Sequence, residues 1–207
     1  MEKHILIELV KACDDAYYLE SVSLDNCSCL IEECDGYTIV AFRGSDEIID
    51  WLAINSLVMS ASHSKYSEAK VHKGYLKNSI KFVLQSDLID NLDFNKQIIF
   101  TGHSMGAALA LLACLELKIL YTSSDLKYCG FACPAVGNSV FNDWLLSKFP
   151  AGSVFQIRNV VDIINYAGLP LYSMSPGITT FGVNVIKPHD IGSYRKIVNR
   201  FEGIYFT

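Results

Sequence analysis

The stretch KQIIFTGHSMGAALALLACLEL, residues 96–117, holds one serine between two glycines, where a short apolar run gives way to a longer one. The first run, KQIIFTGH, has the length and the apolar character of a buried β-strand. The second run is rich in alanine and leucine and predicts a buried helix that ends near Leu120. Ser104, flanked by Gly102 and Gly106, is therefore expected in a turn from a strand into a helix.

This setting bears on whether Ser104 is a nucleophile or only a helix cap. A G-x-S-x-G sequence arises by chance in unrelated chains, but between a strand and a helix it matches a nucleophile elbow. The glycines let the chain turn tightly and let the serine adopt an unfavourable backbone conformation. The free N–H groups of the helix N-terminus then lie beside the serine, where an oxyanion would form. We therefore interpret Ser104 as a nucleophile.

A serine hydroxyl needs a neighbouring base, and the base needs an acid that fixes its tautomer. In hydrolases that carry this elbow, the acid and then the histidine follow the serine along the chain. His189 is the only histidine after Ser104, which makes it the predicted general base. His103 adjoins the serine and is expected to point to the other side of the turn and to serve packing. Three upstream histidines are predicted to be structural or exposed: His4, His63 and His72.

Four aspartates after Ser104 are candidates for the acid: Asp125, Asp143, Asp162 and Asp190. The first two fall in or beside polar or helical segments, and Asp190 would point away from the adjacent His189 on a helix. Asp162 lies just beyond a predicted strand, at the carboxyl end of the sheet, where the sites of α/β proteins gather. Asp162 is therefore the predicted acid.

The rest of the chain alternates between helical and strand patterns. Apolar residues recur at helical spacing over residues 4–18 and 73–88, and residues 27–34 and 37–44 predict a hairpin around Asp35-Gly36. Five serines in residues 56–67 indicate a surface loop. Buried strands are expected at 127–134, 152–159 and 178–186, with helices at 139–149 and 189–201. The predicted class is α/β: one compact domain over residues 1–207, with a mostly parallel sheet, helices on both faces and few insertions.

The composition of the chain excludes several classes of function and indicates the compartment. The 207 residues are 51% hydrophobic and carry a net charge of −5, which argues against disorder and against nucleic-acid binding. The longest apolar run, Met105 to Leu115, is too short to span a bilayer, and the first residues do not resemble a secretion signal. Seven cysteines without such a signal favour a reducing, cytoplasmic setting. The C-x-C-x4-C pattern from Cys27 to Cys34 lacks a second half, so neither a metal site nor a cofactor is expected.

Seven segments together resemble the class 3 lipases, the fungal-lipase-like branch of the α/β-hydrolases. The resemblance runs from about residue 36 to residue 196, and the segments follow the family's order. They are TIVAFRGS (38–45), IIDWLAINS (48–56), KVHKGYL (70–76), IIFTGHSMGAALA (98–110), CPAVGN (133–138), RNVVDII (158–164) and HDIGSY (189–194).

The resemblance implies a role for each matching residue. Ser104 would be the nucleophile, Asp162 the orienting acid and His189 the general base. The main-chain N–H of Met105 and the backbone N–H of Ser45, with its hydroxyl, would stabilise the oxyanion, and Arg43 would support the loop that carries Ser45. An apolar rim for the acyl chain is expected from a lid-like segment and from a loop after the acid: Ile48, Trp51, Leu52, Leu169 and Leu171.

The implied activity is the hydrolysis of carboxylic esters, above all lipid esters such as acylglycerols, with transient contact to a lipid interface. Two alternatives stay open: a phospholipase A1 that uses the same triad, and a non-catalytic α/β-hydrolase that serves binding or signalling. The 27 residues from Asp162 to His189 are fewer than secreted relatives suggest. Asn55 stands near the position where the family often has an aspartate. These differences leave the ester substrate open, and the oligomeric state is not predicted.

Overall fold

A seven-stranded sheet is the centre of the computed structural model, which describes residues 1–45, 60–63, 66–167, 178–180 and 187–201. The strands are Val22–Leu24 (β1), Cys27–Glu33 (β2), Tyr37–Phe42 (β3), Ser60–His63 (β4), Tyr66–His72 (β5), Gln97–His103 (β6), Leu126–Phe131 (β7), Val154–Asn159 (β8) and Ile178–Thr180 (β9). In the sheet, the order is β1, β2, β3, β6, β7, β8 and β9, while β4 and β5 pair separately.

The direction of the strands follows from the connections between them. β1, β2 and β3 are antiparallel neighbours, and the turn from β2 to β3 contains Gly36 at φ +89°, as the predicted hairpin requires. From β3 through β6, β7 and β8 to β9, every neighbouring pair is parallel. The predicted α/β class and mostly parallel sheet are thus confirmed. The prediction of one domain over residues 1–207 stays a prediction.

Helices cover both faces of the sheet because its central strands are apolar on both sides. On β3, Val40 and Phe42 belong to one core, while Ile39 and Ala41 belong to the other. The helices are Lys3–Asp15 (α1), Lys73–Gln85 (α2), Met105–Leu120 (α3), Ser139–Leu146 (α4) and Ile191–Arg200 (α5). The first core packs under α2, α3 and α4, and the second under α1 and α5.

Helix α3 is the most enclosed element of the fold. Every residue from Gly106 to Leu115 is buried, which explains why the sequence shows no polar face over this stretch. The helix lies between α2 and strands β6 and β7. Because the helix directly follows β6, its start sits at the carboxyl end of the sheet. Among the described helices, none has the length and apolar character needed to cross a bilayer.

The prediction of a surface loop over residues 56–67 is wrong for the part that the structure describes. Residues 60–63 form β4, which pairs antiparallel with β5, and Val71 of β5 bridges to Gly137. The serines suggested a turn because they favour local hydrogen bonds with the backbone. Here the backbone groups instead pair between two strands outside the main sheet, where no long apolar run announces a strand.

Because α3 is enclosed, alanine substitution of two leucines in this helix should change the free energy of unfolding by very different amounts. Leu111 is 0% exposed, and Leu120 at the helix end is 53% exposed. Leu111→Ala should lower the free energy of unfolding by about 2–5 kcal/mol because it leaves a cavity. Leu120→Ala should change it by about 0.5 kcal/mol or less. Urea titration of both variants measures this difference, and equal losses would contradict the burial of α3 on all sides.

Candidate active site

Ser104 occupies the turn between β6 and α3 in a strained conformation. Its φ of 59° and ψ of −126° lie outside the regions that a serine ordinarily adopts. The Ser104 N–H donates to the carbonyl of Phe131 on β7 at 2.9 Å, which ties the turn to the neighbouring strand. The hydroxyl makes no capping hydrogen bond to α3, so it is directed elsewhere.

The two glycines of the motif allow this turn because strand and helix nearly touch there. A Cβ on Gly102 would lie 2.4 Å from the carbonyl carbon of Gly106. A Cβ on Gly106 would lie 2.2 Å from the carbonyl oxygen of Phe42 on β3. No side chain fits at such distances, so both positions require glycine.

The structure brings the three predicted triad residues together in one hydrogen-bonded chain. His189 Nε2 lies 2.8 Å from Ser104 Oγ, and His189 Nδ1 lies 2.9 Å from Asp162 Oδ2. Because a carboxylate only accepts, the proton on the ring belongs on Nδ1, and Nε2 accepts from the serine hydroxyl. The Asp162 side chain is 0% exposed and the His189 side chain 27%. This order of groups can withdraw the serine proton.

Asp162 is held by donors on both of its oxygens. Its Oδ1 accepts from the Ile164 N–H at 3.0 Å, and its Oδ2 accepts from the Tyr194 hydroxyl at 2.7 Å. Burial, with the charge of Asp162, raises the pKa of Tyr194 above its usual range, so the hydroxyl keeps its proton and donates. These hydrogen bonds offset the cost of burying the acid and fix the direction in which it meets His189.

Two asparagines extend this network, and neither they nor Tyr194 were predicted from the sequence as site residues. Asn165 Nδ2 donates to the carbonyl of Asn159 at 2.8 Å and to the hydroxyl of Tyr194 at 3.3 Å. Asn159 Nδ2 donates to the carbonyl of Pro188 at 3.1 Å, next to His189. The end of β8 is thereby tied to the segment that carries the histidine. The sequence feature that could have indicated this network is the pair of asparagines that flank the acid in RNVVDIIN (158–165).

The remaining candidate acids lie elsewhere. Asp190 Oδ1 accepts from the Gly192 N–H at 2.8 Å and caps α5. Asp125 Oδ2 accepts from Gln97 Nε2 at 2.7 Å on the surface. Among the aspartates considered, only Asp162 contacts His189 in the part of the chain that the structure describes.

His103 does not point away from the site, and that expectation is wrong. Its ring centroid lies 4.7 Å from that of His189 and 5.7 Å from that of Tyr194, and the residue is only 4% exposed. The alternation of side chains along a strand applies to extended backbone, and Ser104 leaves that conformation. The two consecutive side chains therefore both reach His189. His72, by contrast, caps α2 as a structural residue.

The predicted oxyanion residues lie on the wall of one groove. Ser45 follows β3, and Met105 begins α3 next to Ser104. Since β3 and β6 are parallel neighbours with Phe42 beside Gly102, their carboxyl ends lie together. Ser45 and Met105 are both half-buried and line a groove of about 630 Å³. Both residues therefore lie near the strained turn, although none of the triad residues lines this groove in the part of the chain that the structure describes.

The predicted apolar rim falls outside the described residues. This applies to the lid-like segment 47–55 and to all five substrate-binding residues: Ile48, Trp51, Leu52, Leu169 and Leu171. Within the described ranges, no group of three or more His, Cys, Asp or Glu side chains could hold a metal ion.

Comparison with known proteins gives one family match. The model of the family "Lipase (class 3)" matches residues 39–169, which include the strained turn and the acid.

Curated relatives with similar sequences are also lipases or phospholipases by name. Phospholipase A1-IIdelta from Arabidopsis thaliana is 28% identical over 147 residues, 70% of this chain and 32% of the relative. A lipase from Rhizomucor miehei is 35% identical over 117 residues, 52% of this chain and 31% of the relative. A putative lipase, LIH1, from Saccharomyces cerevisiae (strain ATCC 204508 / S288c) is 28% identical over 150 residues, 62% of this chain and 44% of the relative. The chain thus spans less than half the length of each of these relatives.

Solved structures share the fold. The triacylglyceride lipase of Rhizomucor miehei aligns with a TM-score of 0.71 at 18% identity, covering 85% of this chain and 79% of that one. A triacylglycerol lipase whose catalytic centre is described as a serine protease triad aligns with a TM-score of 0.61 at 26% identity. That alignment covers 74% of this chain and 62% of the lipase.

The burial of His103 predicts a pH-dependent stability. Burial, reinforced by the charge of His189, lowers its pKa from 6.5 to about 3. Between these values the unfolded state binds a proton that the folded state does not, so stability is lost as the pH falls from about 6.5 towards about 3. His103→Phe removes this titration. The dependence of the unfolding free energy on pH should therefore be shallower in the variant, by up to about 1.4 kcal/mol per pH unit.

Urea titrations of the wild type and the variant at pH 7, 6, 5 and 4 measure both slopes. His4→Phe, at an exposed histidine, serves as the matched control and should keep the wild-type slope. Identical slopes for His103→Phe and the wild type would show that His103 is not held neutral by burial.

Proposed function

The chain belongs to the class 3 lipase family, and from this premise we propose that it hydrolyses carboxylic esters, with lipid esters such as acylglycerols as substrates. The observation that carries the proposal is the chain of hydrogen bonds from Ser104 through His189 to the buried Asp162. A serine in a strained turn, paired with a histidine that is paired with a buried carboxylate, is the arrangement of a nucleophile, its base and its acid.

In the proposed reaction, Ser104 Oγ attacks the ester carbonyl carbon while His189 Nε2 accepts the hydroxyl proton. The tetrahedral oxyanion is stabilised by the N–H of Met105 and by Ser45, and each such donor is worth about 10²–10³ in turnover. The alcohol leaves with the proton from His189, and an ester bond now joins the acyl group to Ser104. A water molecule, deprotonated by His189, then releases the carboxylic acid and restores the serine.

Asp162 supports both steps without being protonated itself. Its contact with His189 Nδ1 keeps Nε2 available to accept the proton, and its charge stabilises the imidazolium that forms. Because the Tyr194 hydroxyl and the Ile164 N–H already fix the carboxyl group, little reorganisation is needed when the proton moves.

Contact with a lipid surface is supported by apolar side chains beside the acid. Val161 and Ile163 flank Asp162 and are exposed. Tyr166, also exposed, ends the short 3₁₀ helix Ile163–Tyr166 that follows the acid. Exposed apolar groups next to the acid are suited to a lipid interface. The relatives named above include a lipase from Rhizomucor miehei.

Phospholipase A1 activity is a second candidate, because the relative from Arabidopsis thaliana bears that name. The same triad would cleave an acyl ester of a phospholipid, so the two candidates differ only in the head group that the enzyme accepts.

We also propose a reducing, cytoplasmic setting. All seven cysteines are free, and six of them are buried. Burial raises the pKa of the Cys13 and Cys29 thiols to about 12, so they behave as small core side chains.

The proposal is tested by hydrolysis of p-nitrophenyl esters of increasing chain length, emulsified triolein and phosphatidylcholine. Ser104→Ala should lose about 10⁴-fold or more in turnover because the nucleophile is removed. Ser123→Ala, an exposed serine away from the triad, is the matched control and should retain full activity.

The panel also separates the candidates. Rates that rise with acyl length and at the triolein interface support an acylglycerol lipase, and preferential cleavage of phosphatidylcholine supports phospholipase A1. Hydrolysis limited to short soluble esters reduces the function to an esterase. A wild-type protein that cleaves none of these esters would contradict the proposal and favour a non-catalytic binding role.

A further inference from the structure

His103 lies at the centre of a cluster of rings that includes the proposed base. Its ring meets His189 at a centroid distance of 4.7 Å and an interplanar angle of 36°. It also meets the edge or face of Tyr194, which donates to Asp162, at 5.7 Å and 64°. His103 therefore packs against both the base and the residue that holds the acid. Both contacts are between rings, and the hydrogen bonds of Ser104 and Asp162 go to His189 and Tyr194, so the role of His103 runs through its neighbours.

Tyr17 makes a polar contact with the His103 ring. The Tyr17 hydroxyl lies 3.0 Å from His103 Nδ1, and His103 is only 4% exposed. Tyr17 follows helix α1, and its backbone N–H donates to the carbonyl of Asp14 at 3.2 Å. The N-terminal helix thus reaches the active site through one side chain.

The same hydroxyl packs against the loop that carries Ser45. A Cβ added to Gly44 would lie 2.3 Å from the Tyr17 hydroxyl oxygen and 2.8 Å from the carbonyl oxygen of His103. Glycine is therefore required at position 44 for this approach. Tyr17 consequently contacts the proposed base through His103 on one side and the candidate oxyanion loop on the other.

We propose that Tyr17 and His103 are positioning residues: the Tyr17 hydroxyl holds the His103 ring against His189 and supports the Gly44 turn beside Ser45. The inference rests on the proposed function, because it assigns a role within the same site. Catalytic geometry tolerates little displacement, and a shift of about 1 Å in a positioning contact can cost about 10²-fold in rate. Tyr17 lies outside residues 39–169, the part of the chain that matches the family model.

The chemistry of His103 suits this role. Its ring stays neutral in its buried place, so it adds no positive charge next to the imidazolium that forms on His189. A flat, neutral ring can restrict the rotation of the catalytic imidazole while leaving both of its nitrogens to Ser104 and Asp162.

The test compares Tyr17→Phe with Tyr18→Phe, whose tyrosine is 84% exposed and adjacent in sequence. The readouts are the second-order rate constant for labelling of Ser104 by a fluorophosphonate, kcat and KM for a soluble p-nitrophenyl ester, and Tm. Tyr17→Phe should lower labelling and kcat by about 10-fold or more, with KM and Tm close to the wild type. Tyr18→Phe should match the wild type in every readout.

A double-mutant cycle with His103→Phe tests whether Tyr17 acts through His103. The double variant should then be slower than His103→Phe by less than the loss that Tyr17→Phe causes in the wild type, because the contact with His103 is already lost and only the contact with Gly44 remains. If the fold losses in rate of the two single variants multiply in the double variant, the two residues act separately and the inference is overturned. If the rate losses accompany a fall in Tm, the role is merely structural, and the inference is likewise overturned.

The labelling rate also separates the two proposals. A wild-type protein that is not labelled at Ser104 contradicts the proposed function and the inference with it. A wild type that is labelled, together with Tyr17→Phe labelled at the same rate, contradicts this inference alone.

Discussion

The close approach of β6 and α3 at Gly102 and Gly106 is the constraint on which the site depends. Since the helix backbone presses against the strand and against Phe42 of β3, the chain can connect them only through a sharp turn. That turn places Ser104 at a φ of 59° and directs its hydroxyl towards His189 instead of into the helix. The burial of α3 on all sides holds the strained turn in place.

Parallel strand order then gathers the other groups. β3, β6, β7 and β8 are successive parallel neighbours, so the segments that follow them meet at one edge of the sheet. This brings the Ser45 loop and Asp162 to the edge at which Ser104 lies. Helix α5 packs against α1 on the opposite face from α3 and presents Tyr194 to the acid. Residues far apart in sequence are thus held by the same core that stabilises the fold.

The strongest sequence signals came from residues whose role is fixed by backbone geometry or by elimination. The glycines on both sides of Ser104, between a strand and a buried helix, predicted a nucleophile elbow. His189 was the only histidine downstream of Ser104, so it was the only candidate for the base. Contacts between polar side chains that are distant in sequence could not be predicted from either kind of signal. Tyr194 and the asparagines beside Asp162 resemble ordinary surface residues until the fold brings them together. His103 was expected on the other side of the turn, but the positive φ of Ser104 lets both consecutive side chains reach His189.

The central claim is that an ester reacts covalently with Ser104, and its most direct measurement is mass analysis of peptides after acid quenching during turnover of p-nitrophenyl butyrate. We expect the peptide that contains Ser104 to gain the mass of one butyryl group, and the adduct to disappear once the ester is consumed. Turnover with Ser104 unmodified throughout, or a butyryl group on another residue that forms and decays with turnover, would contradict the claim.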